Sequence, residues 1–531
     1  MKNQALFFLW MSCIISCAPK KESKNIFRIN QVAGIESLDP AFAKNLNIMW
    51  HTQNLYNRLI EFDKNKKPIG SLAKNWEISP DRKTYIFNLR TDVFFHDNEA
   101  FAQGKGRKMT AHDVVFSYSR LVDDKVASPG SWVFNGHIDE QFPFSAINDS
   151  TFVLKLNAPF NPILGILSMQ YCSIVPKEVV EKWGKDFRSH PCGTGPFQFQ
   201  HWEESVVVTY LKNKNYWEKD SLGKRLPYLD GIKISFIDSK ASEFLMFMQG
   251  NIDFMNGIDV SFKDQVLDKK GNLKNEYKDK ITLQKNPYLN VEYLGILQNE
   301  NGNEFLKNKK IRQAINFGFD RKKLVTYLRN NIGMAANAGI IPTSLAGFDS
   351  NLVKGYDYNP EKAKKIIAEV KKETQKPIKI LLQTPDNYTD RCSFIASQLQ
   401  EIGIEVQIEI LQPNILREQM SNSKSSFFWA TWIADYPDAD SYLSLFYSKN
   451  SAPPNYTRFN NKAFDKLYEQ SLTIENEEEK LHLFHQMDNI IVEEAPCVPL
   501  FYDEVVHFLQ KNVRGFKTNN LNLLDWKTIY F

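Results

Sequence analysis

Residues 377–411 read PIKILLQTPDNYTDRCSFIASQLQEIGIEVQIEIL, and this segment identifies the fold class. Its first seven residues are an apolar-rich run typical of a strand, and residues 389–402 have the spacing of a helix that ends at Gly403. Apolar residues alternate with polar ones over residues 404–410, which predicts a second strand. Strand, helix and strand in this order indicate parallel strands joined by a crossover helix, and therefore an α/β fold.

The same alternation continues on both sides of this segment. Residues 359–361 are Asn-Pro-Glu, a strong helix start, and residues 413–420 and 427–432 predict a short helix and a third strand. Ligands of open α/β sheets bind beyond the carboxyl ends of the strands. Asp435 follows the third strand directly, so its position alone makes it a candidate cleft residue.

Other parts of the chain give coarser predictions. Thr110 precedes an amphipathic pattern and predicts a capped helix, with Asp113 at the third helical position. Residues 203–211 have the composition of a strand, and residues 475–494 predict a long helix with an acidic first turn.

Length and charge restrict the class of protein. A chain of 531 residues is too long for one hydrophobic core, so two to four lobes are expected. Apolar residues make up 43% and charged residues 24%, as in ordinary globular proteins. The formal net charge is only +4, and the basic residues are scattered rather than gathered in a stripe. A nucleic-acid partner is therefore not expected.

The N-terminal residues predict export and a lipid anchor. Lys2 precedes an apolar run over residues 5–15, which is the length of a signal-peptide core and too short to span a bilayer. The run leads into Cys17, a pattern that resembles the bacterial lipobox, in which this Cys is lipidated. The alternative is an ordinary signal peptide that happens to contain a Cys. We interpret residues 1–16 as the signal peptide and residues 17–25 as a lipid-anchored tether.

The remaining cysteines do not predict a metal site. Cys172, Cys192, Cys392 and Cys497 lie far apart and form no CxxC pair, so neither zinc nor an iron–sulfur cluster is expected. In an oxidising compartment Cys172 and Cys192 could form a disulfide, but four buried free thiols are equally consistent with the sequence. No metal and no cofactor is predicted.

Catalytic motifs are scarce. The sequence has no GxSxG, HExxH or Walker motif, and Pro196 follows the lone GxG at residues 193–195. Asp435, Asp438 and Asp440 lack the Gly and Glu positions of a calcium-binding loop. No local pattern selects a pair of carboxylates for glycoside hydrolysis. The sequence therefore favours a binding protein over an enzyme.

A series of motifs, read in order, resembles the family 5 extracellular solute-binding proteins, the peptide- and nickel-binding proteins of ABC importers. Each motif is weak alone, and their order along the chain carries the resemblance. The motifs lie at residues 37–40 (SLDP), 72–77 (LAKNWE), 84–90 (TYIFNLR), 95–97 (FHD), 109–117 (MTAHDVVFS), 193–197 (GTGPF), 215–217 (NYW), 311–315 (IRQAI), 320–321 (DR), 432–438 (WIADYPD), 455–459 (NYTRF) and 495–500 (APCVPL).

The resemblance implies a three-lobed fold like that of periplasmic binding proteins, with two hinged α/β lobes and an inserted extra lobe. It divides the chain into lobe I (residues 26–56, 193–288 and 504–531), lobe II (residues 57–192) and lobe III (residues 289–503). Lobes I and III are expected to close over the ligand by a hinge motion.

The resemblance also implies where a peptide would bind. In the peptide-binding members of the family, the Asp of the W-x-A-D motif holds the α-ammonium, and here that residue is Asp435. The peptide would add as a strand to edges near Thr431, Trp432 and Ile433 and near Lys44, Asn45 and Leu46. Two alternatives stay open: Asp435 could cap a strand end or form a hinge ion pair, and Trp432 could be a packing residue.

The function implied is capture of short peptides outside the cytoplasm and delivery to an ABC permease complex in the inner membrane. The protein is expected to be a monomer, held at a bacterial membrane through its N-terminal lipid on the periplasmic or cell-surface side. Within the family, the ligand could instead be a nickel complex, haem, an opine or an oligosaccharide. Two functions of a different class are also open: a surface lipoprotein for adhesion or signalling, and a secreted hydrolase.

Overall fold

A computed structural model describes residues 25–531. The signal-peptide and lipidation predictions, including Cys17, fall on residues 1–24 and lie outside the described residues. Within the described part of the chain, no helix is both long enough and apolar enough to cross a membrane.

The elements alternate between strands and helices, which confirms the α/β class. The strands are β1 (Ile26–Asn30), β2 (Ile60–Phe62), β3 (Pro68–Gly70), β4 (Ala73–Ile78), β5 (Thr84–Leu89), β6 (Phe144–Asn148), β7 (Thr151–Lys155), β8 (Phe197–Glu203), β9 (Val207–Lys212), β10 (Gly231–Ser235), β11 (Phe254–Asn256), β12 (Ile281–Ile296), β13 (Met334–Ala335), β14 (Ile378–Thr384), β15 (Ile404–Ile410), β16 (Phe427–Ile433) and β17 (Cys497–Gln510). The α-helices are α1 (Leu46–Leu55), α2 (Ala111–Val122), α3 (Ile163–Ile166), α4 (Lys177–Trp183), α5 (Lys240–Met248), α6 (Val260–Val266), α7 (Lys309–Phe317), α8 (Arg321–Lys323), α9 (Pro360–Thr374), α10 (Thr389–Glu401), α11 (Pro413–Ser421), α12 (Asp440–Leu443), α13 (Lys462–Ser471) and α14 (Glu477–Glu494).

Residues 377–411 fold as predicted. Strand β14 pairs in parallel with β15 along its whole length, and α10 connects the two. Strand β16 also lies parallel to β14 but meets it only at Gln383 and Phe428. Asn359 caps α9, because its side chain accepts a hydrogen bond from the Lys362 amide at 3.0 Å.

One extended sheet runs through the predicted lobes I and III. Its strands follow the order β15-β14-β16-β12-β17-β11-β1-β10-β9-β8, with β13 added beside β17. Strands β12 and β17 are long and antiparallel and cross from one lobe to the other. Their register is interrupted between Pro287 and Val291, and the lobe boundaries near residues 288 and 503 stay a prediction.

Lobe I gathers chain segments that are distant in sequence. Strand β1 pairs in parallel with both β10 and β11, and β11 pairs with the end of β17. Residues near the C-terminus complete this lobe: the Trp50 indole donates to the Asn522 carbonyl at 2.8 Å, and the Asn54 amide donates to the Leu524 carbonyl at 2.7 Å.

The segment proposed as lobe II has a sheet of its own, with strand order β4-β5-β7-β6. Helix α2 begins as predicted, because the Asp113 carboxylate accepts a hydrogen bond from the Thr110 amide at 2.8 Å. The main hydrophobic core spans lobes I and II, and two further cores lie in lobe III.

The structure corrects two local predictions and resolves one alternative. The strand predicted over residues 203–211 begins later than expected, because β8 ends at Glu203, a turn follows, and β9 begins at Val207. Between them Ser205 has a φ of 59°, and the Val206 amide donates to the Glu203 carbonyl at 3.1 Å. The long acidic helix begins at Glu477 rather than at residue 475. All four cysteines of the described residues are buried free thiols, so Cys172 and Cys192 are not bonded.

Candidate functional site

The third strand of the predicted sheet offers a free edge next to Asp435. Strand β16 pairs antiparallel with β12 from Ile296↔Phe427 to Asn290↔Ile433. On its other side it meets β14 only at Phe428, and no strand of residues 25–531 covers that side further along. The residues beyond Phe428 therefore have backbone groups available to an added strand.

The predicted edge residues differ in how their side chains are used. Thr431 is exposed, and its hydroxyl donates to the Asn290 side chain at 2.6 Å. Trp432 is half-buried against a core of lobe III, and its indole lies 3.4 Å from the Ser441 hydroxyl. Ile433 is also half-buried. The Trp432 side chain thus packs in part against this core, as the packing alternative expects. A contact between Trp432 and a ligand stays a prediction.

The Asp435 carboxylate has no hydrogen-bonding or ionic partner among the described residues, although the Asp435 amide donates to the Ser441 hydroxyl at 3.1 Å. Asp435 keeps some surface exposed to solvent, but the surrounding protein desolvates its carboxyl group and raises its pKa to about 7. Among the described residues, the Asp435 side chain makes no contact that would correspond to either alternative, a strand-end cap or a hinge ion pair.

The two lobes on either side of Asp435 both contribute aromatic groups near it. Burial, and then the charge of Asp435, raise the pKa of Tyr171 in lobe II. Burial raises the pKa of Tyr442 in lobe III, with smaller effects from Tyr288 and Asp435. The rings of Tyr171 and Tyr442 are therefore close enough to feel the Asp435 charge, and in these desolvated surroundings an opposite charge would be poorly screened.

The next two acids in the chain, Asp438 and Asp440, both accept hydrogen bonds from neighbouring side chains. Asp438 accepts a hydrogen bond from the Lys480 ammonium at 2.7 Å, and Asp440 accepts one from the Tyr436 hydroxyl at 2.7 Å. Burial lowers the pKa of Lys480, but the nearby Asp438 outweighs it and the net change is upward. Burial also raises the pKa of Asp440. These contacts fix the loop that carries Asp435.

A second charged region lies where the crossing strands meet lobe III. A cavity of about 250 Å³ is bordered by Tyr288, Arg329, Arg391, Asp503 and Asn522, among others. Arg329 and Asp503 form an ion pair, and the Asn290 amide donates to the other Asp503 oxygen at 3.3 Å. The cavity wall also includes Arg391, which takes no part in this ion pair, and the acid Glu504.

Arg391 is buried, and its hydrogen-bonding capacity is largely unused. The residue is 7% exposed, and its Nε has no hydrogen-bond partner among the described residues. The Nη1 atom reaches the Asn387 carbonyl at 3.5 Å, and the nearest Asp390 oxygen lies 4.0 Å from Nε. Its guanidinium lies over the Tyr388 ring at 5.2 Å, and Tyr388 stacks on Trp429 at 4.6 Å. No sequence motif pointed to this residue.

A buried acid lies beside this group. Glu292 accepts a hydrogen bond from the Trp429 indole at 2.6 Å. Burial, and then the charge of Asp503, raise its pKa to about 7. The charges of Arg329 and Arg391 counteract part of this rise, so Glu292 is close enough to interact with both guanidinium groups.

The second predicted edge, after Pro40, has a different local structure. Lys44 is exposed and pairs with Glu36 at 2.7 Å. The Asn45 side chain caps α1 by accepting from the Ile48 amide at 3.1 Å, and Leu46 is the first residue of that helix. Asn45 has an extended backbone, with φ −150° and ψ 162°, so only its main chain is suited to strand-like contact.

Metal ions are held in proteins by sets of donor side chains. Across residues 25–531, the structure contains no cluster of three or more His, Cys, Asp or Glu side chains that could hold a metal ion. What the geometry offers is an unpaired acid, an incompletely paired base and a free strand edge.

Comparisons with known proteins identify the family. A sequence model described as "Bacterial extracellular solute-binding proteins, family 5 Middle" matches residues 67–454. Heme-binding protein A of Haemophilus influenzae is 29% identical over 88% of this chain and 84% of its own length. The dipeptide-binding protein of Escherichia coli is 26% identical over 88% of this chain and 87% of its own.

A solved structure confirms the three-lobed fold class. The periplasmic binding protein DppA of Helicobacter pylori, in complex with the peptide STSA, superposes with a TM-score of 0.80. It is 26% identical, and the match covers 95% of this chain and 98% of that one. The family consists of solute-binding proteins for transport rather than enzymes. With its fold and most of its length matched, this chain belongs to the bacterial extracellular solute-binding proteins of family 5.

Proposed function

We propose that the protein binds short peptides between lobes I and III and delivers them to an ABC transporter. The observation that carries this proposal is the Asp435 carboxylate, which is desolvated, unpaired among the described residues and located beyond the carboxyl end of β16. A peptide α-ammonium is a compact cation that would supply the missing partner.

The charge state of Asp435 favours a ligand that brings its own positive charge. Without a partner, burial holds the pKa of its carboxyl group near 7. An ammonium group at hydrogen-bonding distance lowers that pKa and strengthens the pair, because few water molecules screen it. The free energy of the ion pair between Asp435 and the ammonium group is thus gained only when the ligand is bound and the cleft is closed.

Arg391 supplies the complementary group for the other end of a peptide. Its Nε is buried without an acceptor in the described structure, and Arg391 borders the cavity of about 250 Å³. A guanidinium binds a carboxylate through two parallel hydrogen bonds, which fixes orientation as well as charge. A zwitterion would therefore satisfy both Asp435 and Arg391.

The backbone between these two groups suits a ligand that lacks a fixed side-chain sequence. The free side of β16 beyond Phe428 offers main-chain donors and acceptors, as does the extended Asn45. Main-chain pairing gives affinity that is independent of side chains. The expected ligand is thus a short peptide of variable sequence.

Haem is the second candidate, because Heme-binding protein A is among the most similar relatives. Its propionates could pair with Arg391, but haem carries no ammonium and would leave Asp435 unpaired. A nickel complex, an opine or an oligosaccharide has no feature of the described residues in its favour. The unpaired acid therefore favours peptides over haem.

The proposal includes the location of the protein. Lipidation at Cys17 would hold it on the outer side of a bacterial membrane, where the tether of residues 17–25 gives access to the permease. We expect a monomeric protein that works in contact with the inner-membrane permease complex.

The test is a thermal-shift screen of residues 18–531 against di- to hexapeptides, confirmed by titration calorimetry. Each peptide is tested free, N-acetylated and C-amidated, and haemin is tested in parallel. A ligand that binds the folded state raises the unfolding temperature by mass action. We expect free peptides to stabilise the protein, and either modification to remove most of the effect.

The outcomes of this screen separate the candidates. Stabilisation by haemin but by no peptide would overturn the peptide proposal. Stabilisation by free and acetylated peptides alike would show that Asp435 does not hold the ammonium. An effect of acetylation without an effect of amidation would keep Asp435 and remove Arg391 from the site.

A further inference from the structure

A turn of lobe II forms hydrogen bonds to the chain at the C-terminal end of a helix in lobe III. The Asn161 amide donates to the Leu472 carbonyl at 2.7 Å. The Asn161 side chain donates to the Ser471 carbonyl at 2.9 Å and to the Ile474 carbonyl at 2.7 Å. A single residue thus makes three hydrogen bonds between lobes that are joined covalently only through other parts of the chain.

Arg82 completes the contact. Its Nη1 donates to the Thr473 carbonyl at 2.9 Å, and its other terminal nitrogen donates to the Asn161 side-chain oxygen. The Glu475 carboxylate lies 3.8 Å from the same guanidinium. Arg82 therefore orients Asn161 as well as binding lobe III directly.

One of the carbonyls involved belongs to the last residue of helix α13, and the other three follow that residue in the chain. Helix α13 ends at Ser471, and the last carbonyls of a helix accept no hydrogen bond from within it. The negative end of the helix dipole also favours the positive charge of Arg82. The amides of Leu472, Thr473 and Ile474 cap the Tyr468 and Gln470 carbonyls from within the chain. Lobe II thus supplies partners for the Ser471 carbonyl and for the carbonyls that directly follow the helix.

A close apolar contact lies beside these hydrogen bonds. The ring of Tyr436 packs on Gly165 of α3, where an added Cβ atom would lie 2.5 Å from the Tyr436 Cδ2. Tyr436 belongs to the core that spans lobes I and II, and Leu472 packs against that core and against a core of lobe III. Tyr436 follows Asp435 directly in the chain, so this contact positions the loop of the candidate site.

We propose that Arg82 and Asn161 form a contact between the lobes, called the clasp below, through which lobe II stabilises the closed form. Gly165, called the seat below, provides the surface on which the Tyr436 ring packs. This inference rests on the proposed function, in which closure retains the ligand. It gives the inserted lobe a role: it slows reopening of the cleft without touching the ligand.

The test compares Asn161→Ala with Asn157→Ala. Asn157 lies in the same loop, but its side chain donates to the Gly136 carbonyl within lobe II, so it serves as a matched control. Dyes placed at the exposed residues Lys74 and Lys466 report the closed fraction by single-molecule energy transfer, with and without tri-alanine. We expect Asn161→Ala to lower the closed fraction and to speed tri-alanine release by about tenfold, as the loss of several hydrogen bonds implies.

A steric pair of variants tests the seat independently. Gly165→Ala should hinder closure, because the new methyl group collides with the Tyr436 ring. Adding Tyr436→Ala in the same chain should restore closure by removing the ring. Equal closed fractions and release rates for Asn161→Ala and Asn157→Ala would overturn the clasp, and a closed fraction that Gly165→Ala leaves unchanged would remove Gly165 from it.

These outcomes are distinct from failure of the proposed function. If tri-alanine and all other peptides fail to bind but Asn161→Ala still lowers the closed fraction, the clasp stands and the peptide ligand does not. If peptides bind and the closed fraction and release rate of Asn161→Ala equal those of Asn157→Ala, the clasp is wrong and peptide binding stands.

Discussion

Two neighbouring groups of acids in lobe III have opposite surroundings. Asp438 and Asp440 accept hydrogen bonds from Lys480 and Tyr436, whereas the Asp435 carboxylate, three residues before Asp438, has no partner in the described structure. Asp435 and Asp438 lie in the loop after β16, and Asp440 begins α12 directly after it, so proximity in sequence does not explain the difference. The hydrogen bonds of Asp438 and Asp440 help to fix this segment. A buried carboxylate without a partner costs stability, which supports the proposal that Asp435 binds a ligand.

The strongest test of this contrast is Asp435→Asn measured against Asp438→Asn. Removing one partner of a buried ion pair costs about 3–5 kcal/mol, so Asp435→Asn should weaken binding of free peptides by about 10²- to 10³-fold. Asp438→Asn should change affinity far less. Titration calorimetry of one peptide with the original protein and with each variant measures both losses of affinity. Equal losses for the two variants would contradict the different roles assigned to Asp435 and Asp438.

The pH dependence sharpens the same contrast. The folded-state pKa of Asp435 is raised from 3.8 to about 7, so the ligand-free protein is favoured by protonation at low pH and loses that stabilisation as the pH rises from about 4 to 7. Binding has the opposite sign, because only the carboxylate pairs with an ammonium. Peptide affinity should therefore fall as the pH drops below 7, by up to about tenfold per unit.

Other buried acids with a raised pKa, such as Glu292 and Asp488, could contribute to such a profile. Asp435→Asn isolates the effect of one residue, because the other acids are unchanged in it. The difference in unfolding free energy between the variant and the original protein should grow in favour of the variant between pH 4 and 7. A difference that stays constant with pH would mean that Asp435 keeps an ordinary pKa.

A smaller effect is expected on stability when a paired acid is removed. Asp438→Asn leaves the Lys480 ammonium, whose side chain is 11% exposed, with only Glu477 at 3.9 Å among the described acids. Because Asp438 itself is partly exposed, we expect a loss of about 1–2 kcal/mol in unfolding free energy, measured by urea denaturation. If the loss is absent here and appears in Asp435→Asn, the assignment of structural and ligand-binding acids is reversed.

The smallest effect is expected for Tyr436→Phe. The change removes the hydroxyl that donates to Asp440 at 2.7 Å but keeps the ring that packs on Gly165. We expect a loss of about 1 kcal/mol in stability and little change in peptide affinity. A large loss of affinity would show that the Tyr436–Asp440 hydrogen bond, and not the ring contact, holds the Asp435 loop in place.

The sequence predicted the parts of the fold whose signals are local. The cap at Asn359 and the alternating residues of β15 report backbone conformation directly, and the position of Asp435 follows from the strand before it. The turn at Ser205 was missed because its residues lack the Gly or Asn that usually marks a positive φ.

The remaining site residues depend on contacts between distant segments. Arg391 lies in the first turn of α10, at the same edge of the sheet as Asp435, and that position was the one available signal. Its importance comes from a Nε atom that finds no acceptor in the described part of the folded chain, which no spacing in the sequence encodes. Asn161 and Arg82 are likewise ordinary turn residues until lobe III is placed against them.

Lobe I is assembled from segments near both ends of the chain, and this determines when it can fold during synthesis. Its first strand lies beside β11, which pairs with the end of β17, and Trp50 and Asn54 bond to backbone groups near the C-terminus. A nascent chain can thus form lobe III from contiguous residues while lobe I stays incomplete. Contacts between such distant residues form slowly, so the chain remains unfinished until its last residues emerge. That delay is compatible with translocation as an unfolded polymer, and it makes lobe I the last part of the molecule to become resistant to proteases.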